Sequence, residues 1–145
     1  IGRMARRTFH AATTHWHSDA RLSGALAEEL YERWAKTLVL GASDVAPMFV
    51  AATHESPIAG FLALALRDGG DWSVTLTGVA PECRGRGILS AMIDGSAAAL
   101  HVGASRQSLF YETQVTNTSA LAAIGRRGMT VSSSRMTFHL WVPGT

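Results

Sequence analysis

Cysteine is almost absent from this sequence. Cys83 stands alone, so no disulfide can form within the chain, and a reducing compartment suits it. Lysine is as scarce, with Lys36 the single example, so arginine supplies nearly all the positive charge. The formal charge is only +2. That surplus is too mild to point to nucleic acid, and the arginines are not interleaved with aromatics as a single-strand groove requires. It does suit a phosphorylated small ligand. No apolar run reaches the roughly 18 residues a membrane span needs; the stretch Gly60–Leu66 is closed by Arg67 and Asp68. Nor does the chain open on a secretory apolar segment. These absences point to a cytoplasmic protein with no membrane or nucleic-acid partner. Disorder is excluded, because 47% of the residues are hydrophobic and only 17% charged. The 145 residues read as one domain. Within it, residues 1–20 read as an N-terminal arm cut short at Ile1, with Arg3, Arg6 and Arg7 on a solvated tail.

What is present falls into periodic segments. Leu22, Leu26, Leu30, Trp34 and Leu38 recur every four residues, which predicts an amphipathic helix over 20–39 with Tyr31 and Ala27 widening its apolar stripe. Glu28, Glu29 and Glu32 fall opposite, Ser18 or Asp19 is the candidate N-cap, and Gly41 the stop. Short apolar strands are expected at 48–51 and 58–66. The second is apolar almost throughout, as a central strand would be. The turn Arg67-Asp68-Gly69-Gly70-Asp71 leads into an alternating strand over 72–79, with Trp72, Val74 and Leu76 on one side. A helix follows from Leu89 to a stop at Gly103. Its internal Gly95 weakens it by about 1 kcal/mol relative to alanine and would permit close packing on a sheet. Then come a strand over 108–115, a short helix over 117–127 closed by Gly128, and a last strand or bent pair over 130–142, where Met136, Phe138 and Leu140 alternate with polar positions. This order predicts a mixed α/β fold, a mainly antiparallel sheet flanked by helices.

The most informative stretch is Val79-Ala80-Pro81-Glu82-Cys83-Arg84-Gly85-Arg86-Gly87-Ile88-Leu89, at a strand-to-helix junction. Gly85 and Gly87 let the backbone turn tightly and present bare N–H groups. The new helix adds the unpaired N–H groups of its first turn, through Ile88, Leu89 and Ser90, and the positive end of its dipole. Arg84 and Arg86 add charge. Together these make a pyrophosphate cradle. The spacing is neither that of a P-loop nor that of a dinucleotide fingerprint, which would put a third glycine at Ser90.

The loop resembles the CoA pyrophosphate loop of the GNAT superfamily of acyl-CoA-dependent N-acyltransferases. Arg84 and Gly87 fall on that pattern, while Leu89 stands where a small residue is usual. The stretch Thr113–Leu121 followed by Gly128-Met129 looks like the family's late strand and helix, so the resemblance spans about residues 45–142. It implies the GNAT-like fold and acetyl-CoA or another acyl-CoA as cosubstrate. It also places Asn117 near the pantetheine arm, and backbone groups at Val79 where they align that arm and polarise the thioester carbonyl as the strand before the loop splays from its neighbour. The family's proton-donating tyrosine falls at Ile124. His15-Trp16-His17-Ser18-Asp19, Leu22, Tyr31 and Trp34, with Phe138-His139-Leu140-Trp141, resemble the branch acting on amino-sugar nucleotides, including the dTDP-fucosamine acetyltransferases.

The implied reaction is direct attack of a small-molecule primary amine on the thioester, with no covalent enzyme intermediate, so Cys83 needs no chemical role. Glu112 is the candidate base, with His139 and His10 as alternatives that change charge nearer neutrality. Tyr111 is the candidate replacement for the missing acid. His15 and His17 lack a third ligand nearby, so no metal is expected. A homodimer is expected from the apolar C-terminal segment and front helix. The competing reading is a non-catalytic acyl-CoA-binding or regulatory domain of the same fold, which Ile124 and Leu89 favour.

Overall fold

In the computed structural model, which describes residues 1–10, 14, 16–17, 19–101, 107–138 and 140–142, the elements follow in the order α1 (Gly2–Phe9), α2 (Gly24–Leu40), β1 (Met48–Ala51), β2 (Gly60–Leu66), β3 (Trp72–Val79), α3 (Ile88–Ala99), β4 (Leu109–Tyr111) and α4 (Thr118–Gly125). The sheet order is β1-β2-β3-β4. The first three strands form the expected antiparallel meander and β4 lies parallel to β3. Helices cover both faces. Met4, Ala5, Tyr31 and Ala35 of α1 and α2 pack with Phe61, Leu76 and Cys83 on one side. On the other, Met92 and Ile93 of α3 pack with Leu62, Leu64, Trp72 and Val74. Burial on both faces is why β2 is apolar at every position.

One feature of β3 departs from its alternating sequence. Trp72 and Val74 face α3, but Leu76 faces α1 and α2. Against β2, Val74 pairs with Leu64 and Leu76 with Ala63, so Thr75 is an extra residue on β3. This bulge turns the strand over and increases its local twist. It lies just beyond the last β3–β4 pair, Val74 with Tyr111. From there residues 75–79 continue with no strand paired to them on the β4 side among the described residues.

The expected N-terminal tail is a helix instead. Met4, Ala5 and Thr8 of α1 are buried, while Arg6 pairs with Glu28 and Glu32, and Arg7 with Glu82. The apolar i, i+1, i+4 stripe is short and its residues small, which hides it behind three arginines. The face of α2 is also displaced from the expected one. Ala27, Tyr31 and Ala35 are buried, whereas Leu26 and Trp34 are exposed. Small residues win the interface because α1 approaches closely; a Cβ at Gly2 would lie 2.7 Å from Lys36 Cγ. The cap is Ser23, whose Oγ accepts from the Leu26 amide at 3.2 Å. Ser18 lies outside the described residues, as does Gly103.

Three further expectations change. A Cβ at Gly95 would meet open space, so that glycine loosens α3 without admitting a neighbour. The strand expected over 108–115 is only the three residues of β4. The strand expected over 130–142 does not form among the residues described there. Alternation alone cannot make a strand without an edge to pair with, and β4 is too short to supply one. Met136, Phe138 and Leu140 are consequently 82–89% exposed.

Candidate active site

The loop over residues 79–89 folds as its composition requires. Pro81–Cys83 form a single 3-10 turn with the Cys83 side chain buried beneath it. Gly85 and Gly87 then adopt φ of +73° and +76°, the left-handed region that glycine enters without strain. Gly87 is the N-cap of α3, so no side chain accepts from the first-turn N–H groups of Ile88, Leu89 and Ser90. A Cβ at Gly85 or Gly87 would touch nothing within 4 Å, so the approach to these amides is open. Backbone donors at a helix N-terminus are a ready-made anion site.

The two loop arginines play a different part from the expected one. Arg84 donates to the Thr8 carbonyl at 2.8 Å, and Arg86 to Glu55 Oε2 at 2.8 Å. The Glu55 carboxylate holds the Arg86 guanidinium's pKa up. Arg84 therefore satisfies a carbonyl at the C-terminal end of α1, where a cation is favoured. Arg7 reinforces the contact, reaching Glu82 Oε2 at 2.9 Å; that carboxyl's pKa is lowered by its own backbone amide and by Arg7. The donors this loop leaves open are thus mainly backbone, and α1 is fastened to it. Leu89 does not crowd the loop, because its side chain packs on the core beneath α3.

Val79 ends β3 and its carbonyl is reached by Thr8 Oγ1 at 3.4 Å. Gly78 makes this possible, since a Cβ there would lie 3.0 Å from Thr8 Cγ2 and 2.9 Å from the Phe61 ring. Asn117 caps α4: its Oδ1 accepts from the Ala120 amide at 3.2 Å and its Nδ2 donates to Thr113 Oγ1 at 3.1 Å. Its side chain is therefore committed to the helix start. Ile124 packs into the same core cluster as Leu89.

The candidate catalytic groups are not brought together. Tyr111 is the last residue of β4 and packs against the α3 side of the core, where burial pushes its phenol up to about 12. It stays protonated through the neutral range. Glu112 lies beyond the strand and its carboxylate is engaged by Arg135. His139 lies outside the described residues. Sequence reasoning gave less weight to His10, whose Nδ1 lies 2.5 Å from Glu28 Oε1 at the end of α1. The late and early aromatic stretches do meet: Trp141 Nε1 donates to Asp19 Oδ2 at 2.7 Å, and the Arg21 guanidinium sits 5.8 Å from the Trp141 ring centre.

The buried phenol carries a pH prediction. Tyr111 holds its proton more tightly folded than unfolded, so its contribution is fully present below pH 10 and is lost as pH rises from 10 to about 12. Tyr111→Phe should therefore flatten the fall of stability in that window by on the order of 2 kcal/mol. Urea midpoints at pH 9 and pH 11.5 for the two proteins would check it.

No curated protein matches the chain by sequence. Among solved structures, an acetyl transferase of Pyrococcus furiosus shares 19% identity at a TM-score of 0.63, over 86% of this chain and 85% of that one. The structure of AAC(6')-Iy with the bisubstrate analogue CoA-S-monomethyl-acetylneamine shares 11% at 0.62, over 97% and 89%. The ribosomal-protein-S18-alanine N-acetyltransferase of Escherichia coli shares 16% at 0.56, over 86% and 67%. These likenesses concern the fold. The sequence profile of the acetyltransferase (GNAT) family matches residues 10–129, most of the chain, and the chain belongs to that family.

Proposed function

We propose that the protein is an N-acyltransferase that moves an acetyl or other acyl group from acyl-CoA to the primary amine of a small molecule. The observation that carries this reading is the edge of β3 left unpaired by β4 over residues 75–79, which leads through one 3-10 turn to the open amides of Gly85, Gly87 and the first turn of α3. Pyrophosphate on those amides and pantetheine along the free edge of β3 would bring the thioester to Val79. Backbone dipoles there would then stabilise the oxyanion as charge develops. Residues 1–145 act as one domain in this reading. Tyr111, kept neutral by burial, is the candidate donor to the departing thiolate. Glu112 is a candidate base, although Arg135 competes for its carboxylate. Asn117 serves by capping α4 beside the pantetheine path.

The acceptor class to try first is an amino-sugar nucleotide. The contact between Trp141 and Asp19 joins the two stretches that resemble that branch, and AAC(6')-Iy, of similar fold, is seen with an acetylated aminoglycoside analogue. The test is thiol release from acetyl-CoA across amino-sugar nucleotides, aminoglycosides, amino acids and polyamines. The reading expects release with at least one amino sugar, faster as pH rises through neutrality. Binding of acetyl-CoA with release from none of these amines would favour a non-catalytic acyl-CoA-binding domain, to which Ile124, packed in the core in the place of the family's tyrosine, lends support.

Self-association belongs to the same proposal. The exposed Met136, Phe138 and Leu140, with Leu26 and Trp34 of α2, offer apolar surface to a second copy. Light scattering should give about twice 15.4 kDa. A mass of 15.4 kDa at high protein concentration would contradict it.

A further inference from the structure

We propose that His10 is the base that removes the acceptor amine's proton and that Glu28 is the residue that positions its ring. The inference rests on the acyl-transfer reading above and names a group that reading leaves open. It starts from how α1 is held. Thr8 touches both halves of the cofactor site: its Oγ1 reaches the Val79 carbonyl at 3.4 Å and its own carbonyl accepts from Arg84 at 2.8 Å. The Arg7–Glu82 pair fixes the neighbouring turn. The C-terminal end of α1 is therefore pinned where β3 runs into the phosphate loop. His10 is its C-cap, two residues past Thr8, so its Cα lies within about 7 Å of Thr8 Cα by chain geometry alone.

The ring is held as well as placed. Nδ1 sits 2.5 Å from Glu28 Oε1. An ionised carboxylate can only accept, so Nδ1 carries the hydrogen and Nε2 is left with its lone pair. Glu28 is itself fixed: it is only 14% exposed, on the face of α2 against α1, and Arg6 Nε lies 3.7 Å from its other oxygen. Glu28 is the charged group facing the imidazole; Arg6 lies beyond it and also reaches Glu32, which Lys36 binds in turn further along α2. The ring is 72% exposed, open to an incoming ammonium. Among the other candidates, Glu112 is already paired and Tyr111 is a protonated phenol.

The step balances without another reactant. The acceptor arrives as an ammonium and gives one proton to Nε2 of His10. The freed nitrogen pair forms the C–N bond while the carbonyl π pair moves to oxygen. Collapse of the oxyanion breaks the C–S bond, whose pair leaves on sulfur. Tyr111 gives its phenol proton to that thiolate, yielding CoA thiol, and is reprotonated by the proton the new amide nitrogen sheds; His10 returns its proton to water.

The test uses the intact chain with acetyl-CoA and two probe amines, dTDP-fucosamine and neamine. His10→Ala should lose about a hundredfold or more in turnover, with acetyl-CoA affinity within twofold and thermal stability unchanged. The pH profile of turnover should change shape, and added imidazole should restore part of the rate. Glu28→Gln should lower turnover about tenfold at unchanged KM. In long-range nitrogen–proton spectra it should turn a single His10 tautomer into a mixture. A wild type that transfers while His10→Ala keeps its turnover and pH profile overturns the base alone. A wild type that binds acetyl-CoA and transfers neither to these two amines nor to any other amine of the wider panel overturns the acyl-transfer reading, and the base falls with it.

Discussion

Gly87→Asp should weaken CoA binding about a hundredfold, or about 2.7 kcal/mol, and cost about 1 kcal/mol of stability through its left-handed backbone. Gly87 has φ +76°, and aspartate is among the side chains that tolerate this region. A Cβ there meets nothing within 4 Å, so no packing is disturbed. The binding loss comes from charge and position: the new carboxylate stands at the first-turn amides that pyrophosphate would use and repels it. Calorimetry for CoA and a thermal melt on the same sample separate the two effects. A folded variant that binds CoA as well as the wild type does would show that the cradle is not where the phosphates go.

Phe61→Ala should cost about 3–5 kcal/mol, a large share of the 5–15 kcal/mol that holds a domain of this size together. Phe61 is fully buried on the α1 side of β2, and its ring edge fills the space above Gly78 that lets Thr8 meet β3. Truncation leaves a cavity between the sheet and the two front helices that neither side can close without lifting α1 from Val79. A urea titration should show a lower midpoint at an unchanged slope. Acetyl-CoA should still restore part of the loss by binding the folded state.

The parts of this fold that were legible in the sequence are those set by local chemistry. Gly85 and Gly87 announce positive φ, and the apolar run in β2 announces burial on two faces. The turn at Gly69 and Gly70 announces the hairpin into β3. What was not legible depends on neighbours far along the chain. The alternation of Trp72, Val74 and Leu76 carries no trace of the bulge at Thr75, because both faces of the strand are covered and each even-numbered position is buried whichever way it points. Yet pairing with β4 stops at that bulge, which leaves the rest of β3 with a free edge among the described residues. The front helices were misread for a related reason: α1 and α2 meet through Ala5, Ala27 and Ala35, so the larger Leu26 and Trp34, which dominate a hydrophobic pattern, face outward. Residues 130–142 show the converse, a strand pattern with no edge to complete it among the described residues. For the site, the loop was readable, but the partners of its arginines were not. Arg84 reaches a carbonyl 76 positions earlier in the chain, a pairing that only the fold can make.

The most direct test of the central claim is calorimetric titration of the chain with CoA and, separately, with pantetheine lacking the phosphates. If the amides of Gly85, Gly87 and the first turn of α3 bind pyrophosphate, CoA should bind at least tenfold more tightly, and Gly87→Asp should erase most of that difference. Equal affinity for the two ligands would contradict the account.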